Sequence, residues 1–148
     1  SNPYLISQHP PKMSLTLRVL APDQSVFDGS AQEVILPSTT GLLGILPGHI
    51  SMVTAVDIGV MRVLEDGKWN SIALMGGFAE VEGDDVTVLV NGAELGSQID
   101  QAEAEADLEK AQNQFKQLED KETSTEKIKA QQQLNKARAR VQATKDKS

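Results

Sequence analysis

The sequence contains no cysteine. That excludes disulfides, thiolate nucleophiles and most structural zinc sites, and it leaves the compartment open. Aromatic residues are nearly missing too, at 3%, so the core must be built from Val, Ile, Leu, Ala and Met, and few rings exist on which bases could stack. An excess of positive charge is also lacking. Fourteen Lys and Arg stand against 21 Asp and Glu, a formal net charge of −7, whereas a nucleic-acid partner demands a basic footprint. No apolar run approaches the ~20 residues that span a bilayer. Direct membrane insertion is therefore not expected, and any association with a membrane is peripheral or through a partner.

The 148 residues suit one domain, or one domain and an appendage. Residues 1–12 (SNPYLISQHPPK) share no pattern with the rest of the chain and are broken by Pro10-Pro11. They read as a tag-like or disordered leader, with the native start expected at Met13.

From Ser14 to about Gly96 the apolar residues recur every second position, as in Leu15, Leu17 and Val19, Val34 to Leu36, Ile58 to Leu64, and Val86, Val88 and Val90. That is the period of half-buried strands. Turn signals at Asp28-Gly29, Asp66-Gly67, Glu82-Gly83-Asp84 and Asn91-Gly92 separate the runs. Asp66-Gly67 between two alternating segments predicts a hairpin, because such turns need positive φ. Many short strands without intervening helices predict an antiparallel sandwich or barrel over residues 13–97. Trp69, beside the Asp-Gly hairpin, is expected to cap the core.

After Ser97 Gly and Pro vanish, Ala, Glu, Gln and Lys dominate, and the period becomes helical. Ala104, Leu108, Ala111, Phe115 and Leu118 form one narrow seam, and Ala130, Leu134, Ala137 and Val141 form another. Thr123 and Glu126 fit a capping box between them. The expectation is an antiparallel helical hairpin over 98–148. Its charges are segregated: nine acids and three bases from Asp100 to Glu126, seven bases and one acid from Lys127 to Ser148. Such segregation can hold the two helices together. The small seam also implies a hairpin that is marginal alone and able to swing toward a partner.

A catalytic constellation does not assemble. There is no P-loop, His-Glu-x-x-His, Gly-x-Ser-x-Gly or dinucleotide fingerprint. Asp84 and Asp85, adjacent in a strand, point to opposite faces and are not a metal pair. His49 has no second histidine or cysteine for zinc; it fits a loop-shaping role better than a base working with Ser51 or Asp57. The loop that carries it, Gly41 to Ser51, has greasy Leu42, Leu43, Ile45 and Leu46 and no lysine, so it is no phosphate cradle. Met75-Gly76-Gly77-Phe78 joins two alternating runs. Its paired glycines predict a bulge or a close backbone approach, or a flat surface for another protein.

Read in order, Leu43-Gly44-Ile45-Leu46-Pro47-Gly48-His49, Met75-Gly76-Gly77-Phe78-Ala79-Glu80-Val81, Val86-Thr87-Val88-Leu89 and Ile99-Asp100 before a helical hairpin carry a resemblance. From Met13 to Lys147 the chain resembles the epsilon-subunit family of F-type ATP synthases. Ile35-Leu36-Pro37-Ser38-Thr39-Thr40-Gly41, Thr54 to Arg62, and Ala73 to Phe78 are most similar to its cyanobacterial and plastid branch.

The resemblance implies a flat sandwich of about ten strands followed by two antiparallel helices, in a regulatory and structural subunit that is not an enzyme. It implies a place at the foot of the rotor's central stalk, with Met75, Gly76, Gly77 and Phe78 as candidate contacts to the gamma subunit. Gly41, Leu42, Leu43, Gly44 and His49 would form the loop facing the c-ring. Its hairpin would fold on the sandwich or extend toward the alpha and beta subunits. The implied roles are coupling of proton flow to ATP synthesis and restraint of ATP hydrolysis, at the cytoplasmic or stromal face of a thylakoid or plasma membrane. Lys136, Arg138 and Arg140 would form the inhibitory basic helix. Many relatives bind ATP through an Ile/Leu-Asp-x-x-Arg-Ala motif. Here Ile99, Asp100 and Ala104 match, with Lys110, Lys136 and Arg140 as later cations, but Glu103 replaces the arginine. Weak or absent ATP binding and no required cofactor are therefore expected. An ATP-sensing switch and a scaffold or chaperone-like module with a coiled-coil arm are the alternatives.

Overall fold

The computed structural model describes residues 14–48 and 51–145. The expected leader, Met13 and His49 lie outside the described residues. Eight strands come first: β1 (Leu15–Ala21), β2 (Gln24–Ala31), β3 (Glu33–Ser38), β4 (Gly41–Ile45), β5 (Met52–Glu65), β6 (Lys68–Glu82), β7 (Asp85–Val90) and β8 (Ala93–Leu95). A 3₁₀ turn (Gly96–Gln98) leads to helices α1 (Gln101–Lys116) and α2 (Thr125–Lys145).

The strands hydrogen-bond in the order β2-β1-β7-β6-β5-β3-β4, with β8 also on β6. Every strand contributes to one apolar cluster, with Leu17, Val34, Leu36, Met61, Val63, Leu74, Ala79 and Val88 fully enclosed. The sheet thus closes over its own inner face as a sandwich. The strands number eight because β5 and β6, at 14 and 15 residues, run unbroken through both halves of the fold. β6 pairs with β8 through Ile72–Leu74 and with β7 through Gly77–Glu82, so counting the halves of the two long strands separately restores ten. One pairing is not antiparallel: β1 runs parallel to β7.

Three local expectations are met and one is corrected. Asp66 and Gly67 take φ of 48° and 79° in the turn between β5 and β6, the double positive φ of a two-residue hairpin. Gly83, at φ 60°, turns β6 into β7. Asn91-Gly92 separates β7 from β8. Asp28-Gly29, however, lies inside β2 and pairs with Arg18 and Leu17; the chain reverses at Pro22-Asp23 instead. The Asp-Gly pair is turn-competent, but flanking ladder bonds to β1 hold it extended.

The β5–β6 ladder has an unusual middle. The pairings Val56↔Gly77 and Ile58↔Met75 keep the same register, yet the inward positions change parity across them. Met52 and Val56 face the core early in β5, Met61 and Val63 later; in β6 Ile72 and Leu74 give way to Ala79 and Val81. Two local departures allow this exchange. Gly76 sits at φ 85°, and the Asp57 carboxylate accepts the Ile58 N–H at 2.9 Å. The backbone of Met75 and Gly76 is tied to the β7–β8 turn by Met75 N–H to Gly92 O and Asn91 N–H to Gly76 O, both 2.9 Å. At Gly77 a Cβ would collide with the Leu89 carbonyl and lie 2.7 Å from Val90 Cα. The glycine pair is a close backbone approach, as its sequence suggested.

Gly77→Ala should therefore destabilise the fold by about 3 kcal/mol or more, since backbone rather than a mobile side chain opposes the methyl. Gly44→Ala, where a Cβ meets nothing within 4 Å, should stay within about 0.5 kcal/mol of the parent. Urea denaturation of both variants checks the contrast.

Candidate functional site

The exchange of faces divides the outside of the β5–β6 ladder into two halves with different fates. On one half Ile58, Val60, Ala73 and Met75 point outward and are covered by the helical hairpin, packing with Ile99, Ala104, Leu108, Ala139, Val141 and Ala143. On the other, Val53, Phe78 and Leu89 point outward and stay exposed at 72%, 62% and 52%. Phe78 pairs directly with Leu89 on β7 and with Ala55 on β5, so these side chains share one uncovered apolar face. The four residues expected to meet gamma are thereby split. Gly77 and Phe78 belong to the bare half, while Met75 lies under the hairpin.

The hairpin is built by its own rules. Asp100 is the N-cap of α1, its carboxylate accepting the Glu103 N–H at 3.0 Å; Glu103 at the third helical position completes the favourable charge at that terminus. α2 is capped by Ser124, whose hydroxyl accepts the Lys127 N–H at 3.2 Å. The Thr123–Glu126 box does not form, because the helix starts at Thr125, beyond Thr123. Lys127 Nζ donates to the carbonyls of Glu119 and Lys121 at 2.8 and 2.9 Å and so pins the connection between the helices. α1 ends at Lys116, leaving Leu118 in the turn.

Along the interhelical seam Ala111, Leu134 and Ala137 are buried beside Leu108 and Phe115. A second seam escapes sequence reasoning. Ala139 and Ala143 are buried against the sheet, one step around α2 from the first. Their only sequence signal is a small or apolar residue at every second position from Ala137 to Ala143, which a single-seam search ignores. Gly96 completes this contact. A Cβ there would collide with the Ala143 carbonyl and sit 3.0 Å from the Ser71 carbonyl, so helix end, strand and linker meet where no side chain fits.

One charged side chain joins all three parts. Arg140 on α2 donates from Nε to Glu94 of β8 at 2.7 Å and from Nη1 to Asp107 of α1 at 3.2 Å. Its guanidinium is held above its ordinary pKa chiefly by the Glu94 hydrogen bond, with desolvation opposing and the charges of Glu94, Asp107 and Glu103 adding. A raised basic pKa contributes stability that is fully present below the unfolded value and lost only as pH rises through the folded one. For an arginine that window lies far above neutrality, so ionic strength is the variable that probes this contact.

The cations expected from the nucleotide motif do converge. Lys110, Lys136 and Arg140 line one groove of about 430 Å³ with Asp107, Gln114, Gln133 and Met75. Arg138 points elsewhere and is exposed. Acidic groups stand among these cations. Arg140 gives one N–H bond each to Glu94 and Asp107, Asp100 serves as a helix cap, and Glu103 adds negative charge to the field at Arg140.

In the loop expected to face a ring of partners, Leu42 and Leu46 are exposed at 77% and 60%. Gly41, at φ 125°, opens β4 immediately after the turn. Gly48 N–H donates to Asp84 at 3.1 Å, fixing the loop to the β6–β7 turn. Leu43 is half-buried against the core, and Gly44 is exposed. No group of three or more His, Cys, Asp or Glu side chains that could hold a metal occurs among the described residues, and no helix among them is long and apolar enough to cross a membrane.

Residues 14–96 match the family model for the ATP synthase delta/epsilon chain beta-sandwich domain, and residues 97–145 the long alpha-helix domain of the same chain. The chain is 78% identical over 133 residues to the ATP synthase epsilon chain of Prochlorococcus marinus (strain MIT 9313), covering 90% of this chain and all of that protein. It is 69% identical over 134 residues to the one of Synechococcus sp. (strain WH7803), covering 90% and 98%. Its fold is also similar to a chain of the Euglena gracilis mitochondrial ATP synthase, with a TM-score of 0.71 at 18% identity, covering 94% of this chain and 92% of that one.

Arg140→Met should weaken hairpin docking by about 1 kcal/mol, the scale of a partly exposed ion pair. Amide exchange at Ala139 to Ala143 should accelerate in the variant. It should also accelerate in the parent as salt is raised, and the salt effect should shrink in the variant.

Proposed function

The chain belongs to the ATP synthase delta/epsilon chain family, and from that premise we propose that this non-catalytic subunit works in the central stalk of a proton-translocating ATP synthase. It links the gamma subunit to the c-ring, supports coupling, and restrains ATP hydrolysis through its C-terminal hairpin. It lies peripherally at the cytoplasmic or stromal face of a thylakoid or plasma membrane.

The observation that carries this reading is the division of one sheet face at Gly76-Gly77. A rotor subunit needs a permanent attachment and a movable arm. The bare patch of Val53, Phe78 and Leu89 supplies apolar area for attachment to gamma. The docked hairpin supplies the arm. The exposed Leu42 and Leu46, on β4 and just after it, suit contact with the c-ring. If the arm opened, the basic face of α2 carrying Lys136, Arg138 and Arg140 would be offered to acidic segments of the alpha and beta subunits.

The arm is released without a nucleotide signal. Glu94 and Asp107 engage the Nε and Nη1 groups of Arg140 from within the chain, and Glu103 stands where the family motif has arginine; both support weak or absent ATP binding with no cofactor required. This separates the reading from an ATP-sensing switch built on the same groove. Isothermal titration of ATP-Mg into the full chain should show no micromolar affinity; a micromolar isotherm would favour the switch.

Removing the residues after Gly96 leaves all eight strands in place. The truncated chain should still assemble with gamma, and the complex should hydrolyse ATP faster than one carrying the full chain. Unchanged hydrolysis on assembly would remove the hairpin from the inhibitory role.

A further inference from the structure

The hairpin folds back onto its own root. The chain leaves β8 at Leu95 and enters the 3₁₀ turn at Gly96, and the C-terminal end of α2 returns to lie on that same residue. Gly96 is buried there, between two stretches of backbone. A Cβ built on it collides with the carbonyl oxygen of Ala143 on α2 and lies 3.1 Å from that carbonyl's carbon. It also lies 3.0 Å from the carbonyl oxygen of Ser71 on β6. So close an approach is possible because the buried side chains around it are methyl groups, from Ala73 on β6 and from Ala139 and Ala143 on α2.

Among the described residues two glycines would bring a Cβ to 3.0 Å or less from the backbone of another element, and they sit at different junctions. At Gly77 the opposing backbone is that of Leu89 and Val90, a neighbouring strand, so a side chain there disturbs the sheet itself. At Gly96 the harder contact belongs to the hairpin. Gly96 is also not one of the glycines held at positive φ, so its backbone conformation suits any residue. The nearness of Ala143 is what demands glycine. Moving the hairpin away removes that collision and leaves the Ser71 contact, which a shift of a few tenths of an ångström relieves.

We propose that Gly96 is the positioning residue that gates the hairpin: a bare Cα at this position is a condition of the docked arm and not of the sandwich, so a side chain here releases the arm. The effect falls on one side of the equilibrium. A group that destabilises the docked state and leaves the released state nearly unchanged shifts the population toward release. The gate also differs in kind from the Arg140 tie. Arg140 holds the hairpin through ion pairs with Glu94 and Asp107, which salt weakens, whereas excluded volume at Gly96 has no charge to screen. The two contacts close together, because Arg140 and Ala143 lie within one turn of the same helix. This inference rests on the movable arm of the proposed function, but docking in the isolated chain is measured apart from any effect on hydrolysis.

The full chain is compared as parent, Gly96→Ala and Ser97→Ala, the last changing an exposed neighbour. Amide exchange from Ala139 to Ala143 should accelerate about tenfold or more in Gly96→Ala, the scale of forced overpacking, and keep the parent rate in Ser97→Ala. Exchange at Leu17 and Val88, fully enclosed in the sandwich, should stay within about twofold of the parent in both variants. Adding Arg140→Met to Gly96→Ala should accelerate α2 no further, because the tie is already broken. Raised salt should likewise leave α2 exchange in Gly96→Ala unchanged.

Unchanged exchange in α2 overturns the gate. So does an equal acceleration at Leu17 and Val88, which would make Gly96 part of the sandwich, and so does an Arg140→Met effect that adds in full. In the assembled complex, Gly96→Ala should slow ATP hydrolysis relative to the parent, since the released arm is the restraining one. Equal or faster hydrolysis with α2 already released overturns the role proposed for the arm and leaves the gate standing.

Discussion

The interaction on which the rest of the structure depends is the close approach of Gly77 to the backbone of Leu89 and Val90. It lets β7 sit against β6 just after Gly76 has turned the strand over at positive φ. Without that exchange of faces, the residues inward at Ile72 and Leu74 would continue in phase to Gly76, Phe78 and Glu80. Phe78 would be buried, and Ala79 and Val81 would face water. A strand with a strict period of two has one inward face. The long ladder needs two, because its outer side is a hairpin dock over one half and an open patch over the other. One backbone device makes both surfaces.

The dock is assembled from small parts. Ala73, Ala104, Ala139 and Ala143 contribute a methyl each, and a buried methyl is worth roughly 0.8 kcal/mol. Val141, Ile58 and Val60 add more, and the Arg140 cluster adds an ionic tie whose carboxylates are half-exposed. Alanines and glycine allow backbones to approach closely without interlocking side chains, so little repacking opposes separation. Such a surface holds an arm with a modest free energy, and a modest free energy is what a partner with differential affinity can overcome. The sandwich beneath is the reverse case, with Leu, Val and Met interdigitated from every strand, and does not depend on the hairpin for its core.

How much could be read from residues alone depends on how local each feature is. The change of period near Ser97, the Asp66-Gly67 hairpin and the significance of Gly76-Gly77 are set by a few neighbouring residues, so each was legible. The parallel contact of β1 with β7 joins positions about 70 apart and leaves no local trace. Asp28-Gly29 looked like a turn because its conformational freedom is intrinsic, whereas its straightness is imposed by β1. Ile58 to Leu64 alternates convincingly, yet the sandwich core takes Met61 and Val63 and the hairpin takes Ile58 and Val60. Alternation identifies a strand with two different faces and is silent about which one is the core. Of the candidate site, the cations of the groove were legible from the family pattern. Arg140's engagement with Glu94 was not, since that carboxylate lies 46 residues away on another element.

The charge segregation of the two helices takes on a different meaning in the folded molecule. An acidic α1 beside a basic α2 suggests that paired charges hold the hairpin closed. The interhelical ion pair between them described in the structure is Arg140 with Asp107, and its stronger bond goes to Glu94 on the sheet. Packing of Leu134, Ala137, Ala111 and Phe115 holds the helices to each other. Arg138 and Lys129 remain exposed. Exposed charges across a helix pair attract only weakly in water and are screened within about 10 Å at 0.1 M salt. The segregation thus contributes little to closing the hairpin, whose hold comes from apolar packing and from the tie of Arg140 to Glu94 and Asp107.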